Sequence, residues 1–164
     1  MIQINRGLTP GQYKIADIFP EIRAKPILAE IFRNKQESED VIANTNVIII
    51  NRHHEMSVDN QDGSITIGLN HLQQSDTEIL YLDIIHELVH VRQQRDGLDL
   101  YDKTKAYVDR PTEIDAYALT VKEARRIGFT EAQILNYLQV EWITPQEHRR
   151  LARRLNVATY RSRK

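Results

Sequence analysis

Residues 80–94, with the sequence LYLDIIHELVHVRQQ, constrain the fold of this chain more than any other segment. They place His86 and His90 four residues apart, with Glu87 between them. On an α-helix, side chains at this spacing lie about 40° apart around the axis and one turn apart along it. Both imidazoles can then reach one metal ion, and Glu87 lies beside them as a base for an activated water. The pattern therefore predicts a helix that carries two metal ligands and a base.

The composition limits which ligands are available. The sequence has 164 residues, of which 41% are hydrophobic and 27% are charged, as in ordinary globular proteins. We therefore expect one domain over residues 1–164. Because there is no cysteine, disulfides and cysteine-ligated zinc are excluded, and any metal must be held by His, Asp or Glu.

Localisation and partners are constrained less strongly. Residues 1–19 carry scattered charges and no apolar run of signal-peptide length, and no segment approaches the roughly 20 apolar residues of a membrane span. We therefore expect a cytoplasmic protein with no membrane association. The net charge of −1 indicates no general attraction to nucleic acid, and the oligomeric state stays open.

The N-terminal part of the sequence predicts short helices. Thr9 and Pro10 are typical of a helix start, which predicts a helix over about 11–19. Apolar residues at helical spacing predict a second helix over about 26–35. The polar segment 36–44 is typical of a loop.

Two strands follow in the sequence. The β-branched run 46–51 is typical of a buried strand, and the alternating residues 64–69 are typical of a half-buried one. Asp62 and Gly63 form a favoured hairpin dipeptide between them. We therefore expect these two strands to pair as an antiparallel hairpin.

Capping signals predict four helices in the rest of the chain, and the complete order predicts an α+β fold. We expect a small antiparallel or mixed sheet packed on helices, with the motif helix at the centre and a helical C-terminal part. The predicted helices are 76–95, with a capping box of Ser75 and Glu78 and with Gly97 after its end; 113–126, opened by Pro111 and Thr112 and closed by Gly128; 131–142; and 145–155, with a capping box of Thr144 and Glu147.

A catalytic zinc ion usually has three protein ligands, so a third must accompany the two histidines. Glu113 is the strongest candidate, because it lies in the first turn of a predicted helix that can fold back against the motif helix. Asp115 competes with it, but on a helix the two side chains point about 200° apart. We therefore expect His86, His90 and Glu113 to bind one zinc ion.

With these residues the chain resembles the gluzincins, zincins whose third ligand is a glutamate on a helix after HExxH. Residues 113–116, E-x-x-A, are similar to the second motif of the ImmA/IrrE-like metallopeptidases and of related integral-membrane zincins. The string HELVHVRQQ is similar to the HExxHxxQQ group of predicted bacterial zincins. The resemblance covers about 47–126 and implies a zincin-like fold. It also implies an edge strand that holds an extended peptide, formed by Ile65, Thr66, Ile67, Gly68 and Leu69.

The chain departs from thermolysin-like gluzincins at Tyr117, where those proteins carry an aspartate that supports a histidine ligand. Asp83 or Asp109 can supply that support instead. The group that stabilises a tetrahedral oxyanion is not ranked by sequence. The candidates are Tyr101, Tyr107, Tyr117, Arg110, His53 and His54.

These features predict a zinc-dependent hydrolase, a metallo-endopeptidase that acts on a protein or peptide substrate with Glu87 as general base. A purely structural metal site would need a fourth ligand. The remaining histidines, His71 and His148, are interpreted as surface residues.

The segment 145–164 is a basic helical tail, and it supports an alternative. Four arginines recur at helical spacing in it, which is typical of a solvated helix face and, less often, of nucleic-acid contact. In that alternative, the chain is a non-catalytic, metal-bearing regulator. The four residues are Arg149, Arg150, Arg153 and Arg154.

Overall fold

The computed structural model of the chain describes residues 2–159, which form two compact units that divide between Leu100 and Tyr101. The described residues contain four strands and eight α-helices, so the predicted α+β class is confirmed. The single domain expected from sequence stays a prediction. None of the described helices is long and apolar enough to cross a membrane.

The first unit contains a mixed four-stranded sheet in the order β1-β2-β4-β3. The two inner strands are parallel, and each outer strand is antiparallel to its neighbour. The strands are β1, Gly11–Lys14; β2, Asn46–Ile50; β3, Met56–Val58; and β4, Ile65–Gly68.

The inner strands supply the core face of this sheet. Their register aligns Val47 with Ile65 and Ile49 with Ile67, and all four side chains are buried. Alternate residues of a strand point to the same face, so the aligned pairs form one apolar surface. Their β-branched side chains also suit a buried strand.

Five α-helices complete the first unit. The longest, α5, has twelve buried residues out of 19 and packs against β3 and α2. The predicted bounds of 76–95 agree with it to within one residue, and Gly97 follows the C-cap Asp96 with the left-handed φ of +84° that favours glycine there. The helices are α1, Ile15–Ile18; α2, Leu28–Ile31; α3, Lys35–Asn44; α4, Leu69–Gln74; and α5, Thr77–Arg95.

The second unit contains three α-helices, two of which match the predicted bounds closely. Pro111 lies in the first turn of its helix, and the capping box of Thr144 and Glu147 is present. The middle helix ends at Tyr137, earlier than the predicted Trp142. The part of the predicted basic tail beyond residue 159 lies outside the described residues. The helices are α6, Pro111–Arg126; α7, Glu131–Tyr137; and α8, Pro145–Arg154.

The N-terminal predictions need correction. The helix expected over 11–19 is β1 followed by the short α1, because pairing with β2 stabilises an extended backbone there. The helix expected over 26–35 is limited to the four residues of α2. The loop expected over 36–44 is α3, whose first turn is capped by the Asn34 side chain, which accepts a hydrogen bond from the Glu37 amide at 2.8 Å.

The predicted hairpin is wrong in its pairing. The turn at Asp62 and Gly63 joins β4 to β3, while β2 and β4 run parallel. Consequently β4 is paired on both sides and is not the edge strand expected of residues 65–69, and Leu69 begins α4. In this sheet β3 is the outer strand beside β4. The capping box expected of Ser75 and Glu78 is also absent from α5, whose N-cap is Asp76.

Candidate metal centre

The motif helix α5 brings two imidazole nitrogens together. The Nε2 atoms of His86 and His90 are 3.1 Å apart, and the rings meet edge to face with centroids 4.7 Å apart. Two nitrogens bound to one tetrahedral zinc at 2.0–2.1 Å would lie about 3.3 Å apart. The observed separation is close to that value, so little movement of the rings is needed to bind a metal.

The motif residues are removed from solvent. His86 is 5% exposed, Glu87 is 7% exposed and His90 is 5% exposed. Ionisable side chains are seldom this deeply buried unless they are paired or bind a metal. This buried cluster of ionisable side chains is therefore suited to bind a charged ligand.

Gln93 orients one of the histidines. Its Oε1 accepts a hydrogen bond from His90 Nδ1 at 2.7 Å, and its side chain is 1% exposed. With the proton on Nδ1, the Nε2 atom of His90 carries the lone pair that a metal requires. This role of Gln93 is not predicted from the sequence, although the spacing of three residues on a helix indicates contact with His90.

Glu113 completes the group. It lies in the first turn of α6 and is 4% exposed, whereas its competitor Asp115 is only partly buried. One ligand atom from each of His86, His90 and Glu113 lies within 4.8 Å of the other two. This buried group can hold a metal ion. Two imidazoles and a glutamate are also the donor set of known catalytic zinc sites.

No family model, curated protein or solved structure matches this chain. The interpretation of the site therefore depends on its own donor atoms, their separation and their burial. These observations support a metal ion without identifying which one. Zinc stays a prediction from the donor set.

The two aspartates considered as support for a ligand have clear partners of their own. Asp83 Oδ2 accepts a hydrogen bond from His71 Nε2 at 2.7 Å. Both oxygens of Asp109 accept from the Arg150 guanidinium, and one also accepts from Arg154. The hydrogen bond from Arg150 holds the pKa of Asp109 below its ordinary value. The carboxylate of Asp109 is thus bound to α8.

Several oxyanion candidates cluster with one another in the second unit. The hydroxyls of Tyr107 and Tyr117 are 2.8 Å apart, and the ring of Tyr107 meets Trp142 edge to face. The Arg110 guanidinium lies 5.8 Å from the Tyr107 ring centroid. Tyr101 is 39% exposed. The geometry does not select one of these residues as an electrophile.

The histidines outside the motif have environments of their own. His54 Nε2 lies 2.9 Å from Ser57 Oγ, and burial, followed by the nearby charges of His71 and His53, lowers the pKa of His54. His71 and His148 were predicted as surface residues, but both are partly buried and hydrogen-bonded. His148 Nε2 donates to the Leu135 carbonyl at 2.7 Å.

The basic face of α8, for which nucleic-acid contact is the alternative interpretation, is partly neutralised. Of its four arginines, Arg150 and Arg154 form ion pairs with Asp109, each with an N···O distance of 2.9 Å. Binding of a phosphate by either guanidinium would compete with this carboxylate. Two of the four arginines are thus held by a carboxylate of the same unit, and nucleic-acid binding by this helix stays a prediction.

Proposed function

We propose that this chain is a zinc-dependent metallo-endopeptidase of the gluzincin type. The observation that carries the proposal is the 3.1 Å separation of the His86 and His90 Nε2 atoms on a buried helix face. Glu87 adds a carboxylate from the same helix, and Glu113 adds the third donor. Three protein donors leave one coordination position for water or substrate, which is the arrangement of catalytic rather than structural zinc.

The residues that would hold zinc are His86, His90 and Glu113. Zinc bound there supplies Lewis acidity, which polarises a carbonyl group and lowers the pKa of water toward about 7. Gln93 holds the His90 ring in the tautomer that presents Nε2.

Glu87 is proposed as the proton carrier. Its carboxylate accepts a proton from the attacking water and then donates that proton to the nitrogen of the leaving amine. Glu87 is only 7% exposed, so its carboxylate has little contact with bulk water. Exchange of the transferred proton with bulk water is therefore restricted. Proton transfer by such a group typically contributes about 10²–10⁴-fold to the rate.

The substrate class follows from the outer strand β3. This strand packs against α5, the helix that carries the motif, and only its β4 side is paired within the described sheet. An extended peptide can add to such an edge by backbone hydrogen bonds. We therefore assign to β3 the peptide-holding role that the resemblance had placed on residues 65–69.

A peptide-library cleavage assay tests this function. The zinc-loaded parent should cleave internal peptide bonds, and Glu87→Gln should lose at least about a hundredfold in rate while it retains zinc. Glu78→Gln is the matched control, because Glu78 is an exposed carboxylate in the first turn of the same helix. Cleavage by Glu87→Gln at the parent rate would show that the assignment of Glu87 is wrong.

A further inference from the structure

A histidine of α4, a serine of the turn that follows it and an aspartate of α5 form a hydrogen-bonded series. Ser75 Oγ lies 2.8 Å from His71 Nδ1, and His71 Nε2 lies 2.7 Å from Asp83 Oδ2. Both contacts are partly buried, with the side chains of His71 and Asp83 at 10% and 15% exposure. None of the three residues belongs to the proposed zinc ligands.

The order of the contacts fixes the direction of proton transfer. A carboxylate accepts hydrogen bonds, so the His71 proton lies on Nε2 and points to Asp83. The Nδ1 atom then carries a lone pair and accepts the hydrogen bond from the Ser75 hydroxyl. A nucleophile, a base and a group that orients the base are thus joined in the sequence required for an activated serine. The two ring nitrogens are exchanged relative to serine proteases, but proton transfer needs only one acceptor nitrogen and one protonated nitrogen.

The guanidinium of Arg6 contacts the same turn. Arg6 donates from Nη1 to the Leu72 carbonyl at 2.9 Å and from Nη2 to Thr77 Oγ1 at 3.0 Å, so its guanidinium spans the two sides of Ser75. Ser75 also directly precedes Asp76, the N-cap of the 19-residue α5, and the Asp76 side chain makes no capping hydrogen bond. The first amides of a helix and a nearby guanidinium can both stabilise a developing oxyanion.

Ser75 can be reached from solvent. It is partly exposed, and its neighbours Gln74 and Asp76 are exposed. A small acyl ester therefore has access to the Ser75 hydroxyl. Structural serines held deep in a core lack this access.

We propose that Ser75 is the nucleophile of a second, metal-independent hydrolytic site that acts on small acyl esters. Ser75 Oγ attacks the ester carbonyl carbon while its proton passes to His71 Nδ1. The bond from the carbonyl carbon to the alcohol oxygen then breaks, and the departing alcohol takes that proton. Water attacks the acyl-serine by the same route, which releases the carboxylic acid and restores Ser75.

A fluorophosphonate probe tests this site directly, because it forms a covalent bond with activated serines. The folded parent should be labelled on Ser75, as located by peptide mass spectrometry, and Ser75→Ala should fall to background. Asp83→Asn should lower the labelling rate at least about tenfold, because the base loses the carboxylate that fixes its tautomer. Treatment with a metal chelator should leave labelling unchanged, which separates this site from the proposed zinc centre.

Ser64→Ala is the matched serine control, because the Ser64 hydroxyl donates to the Asp62 carboxylate at 2.7 Å and should not become a nucleophile. Its labelling should equal that of the parent. Thermal melts followed by circular dichroism establish that each variant is folded. Absence of labelling in the folded parent, or a label mapped to any residue other than Ser75, would overturn the proposal. The mapping in the parent decides the question even if Ser75→Ala fails to fold.

Discussion

Replacing Gln93 by leucine should weaken zinc binding without changing any proposed ligand. The Gln93 Oε1 atom accepts a hydrogen bond from His90 Nδ1 at 2.7 Å, and the side chain is 1% exposed. Leucine is similar in size but has no acceptor. In the variant, the His90 ring loses the contact that fixes its tautomer and orientation.

The expected magnitude follows from the kind of contact that is lost. Removal of a hydrogen-bond partner of a metal-binding histidine typically weakens metal binding about 10–100-fold. This corresponds to roughly 1.4–2.7 kcal/mol at about 1.4 kcal/mol for each factor of ten. The lower part of the range would indicate that the His90 ring keeps its orientation through the packing around it, since it is only 5% exposed.

Zinc affinity is measured by competition with a chromophoric chelator, and thermal melts confirm that the variants fold. Gln94→Leu is the matched control, because Gln94 follows on the same helix but donates to the Gln61 carbonyl at 3.0 Å. Gln93→Glu keeps an acceptor and should bind zinc better than Gln93→Leu. Equal affinity of Gln93→Leu and the parent would refute the role given to this hydrogen bond.

Three further predictions concern stability. In Gly68→Ala, the added Cβ would lie 2.0 Å from the His54 carbonyl oxygen. The free energy of unfolding should therefore fall by about 3 kcal/mol and the melting temperature by roughly 6–12 °C. An unchanged melting temperature would contradict that contact. The Asp109 carboxylate stabilises the fold at pH values above its ordinary pKa, and this effect is lost as the pH falls through the lowered pKa of the folded state. In Asp109→Asn, the free energy of unfolding should therefore depend less on pH on the acid side. A pH dependence equal to that of the parent would count against the Arg150 ion pair. Free zinc at about 100 times its dissociation constant should raise the free energy of unfolding by roughly 2.7 kcal/mol in denaturant titrations, and a chelator should remove the gain. Identical unfolding curves with and without zinc would argue against zinc binding to the folded chain.

The elements predicted correctly from sequence carry strong local signals. Pro111 in the first turn of α6, Gly97 after α5 and the Thr144 capping box each act within one helical turn. Their effect therefore does not depend on distant partners. In contrast, α3 has few apolar residues, and its main local signal is the Asn34 cap, which was not recognised.

Strand pairing could not be predicted because it depends on distant contacts. The strand β3 has only three residues, too few to show alternation, so the turn at Asp62 and Gly63 was assigned to β2 and β4 instead. Likewise, residues 11–14 become a strand only because β2 lies beside them. The expected edge strand was misplaced for the same reason.

The candidate site was predicted better than the sheet. His86 and His90 follow from a fixed helical spacing, and Glu113 follows from the need for a third donor near the start of a helix. The contact between Ser75 and His71 is not predicted, because the sequence pattern places Ser75 in a capping box with Glu78. The link from His71 to Asp83 depends on how α4 folds against α5, which no local pattern in the sequence indicates.

X-ray absorption at the zinc edge of the zinc-loaded parent tests directly whether His86 and His90 bind the same metal ion. We expect one tightly bound zinc ion per chain, with two imidazole nitrogens and at least one oxygen at about 2.0–2.2 Å, and loss of this site in His90→Ala. The oxygen shell should include an exchangeable water that a small inhibitor can replace. Failure to retain zinc, or a spectrum without two imidazole ligands, would contradict the proposed metal centre.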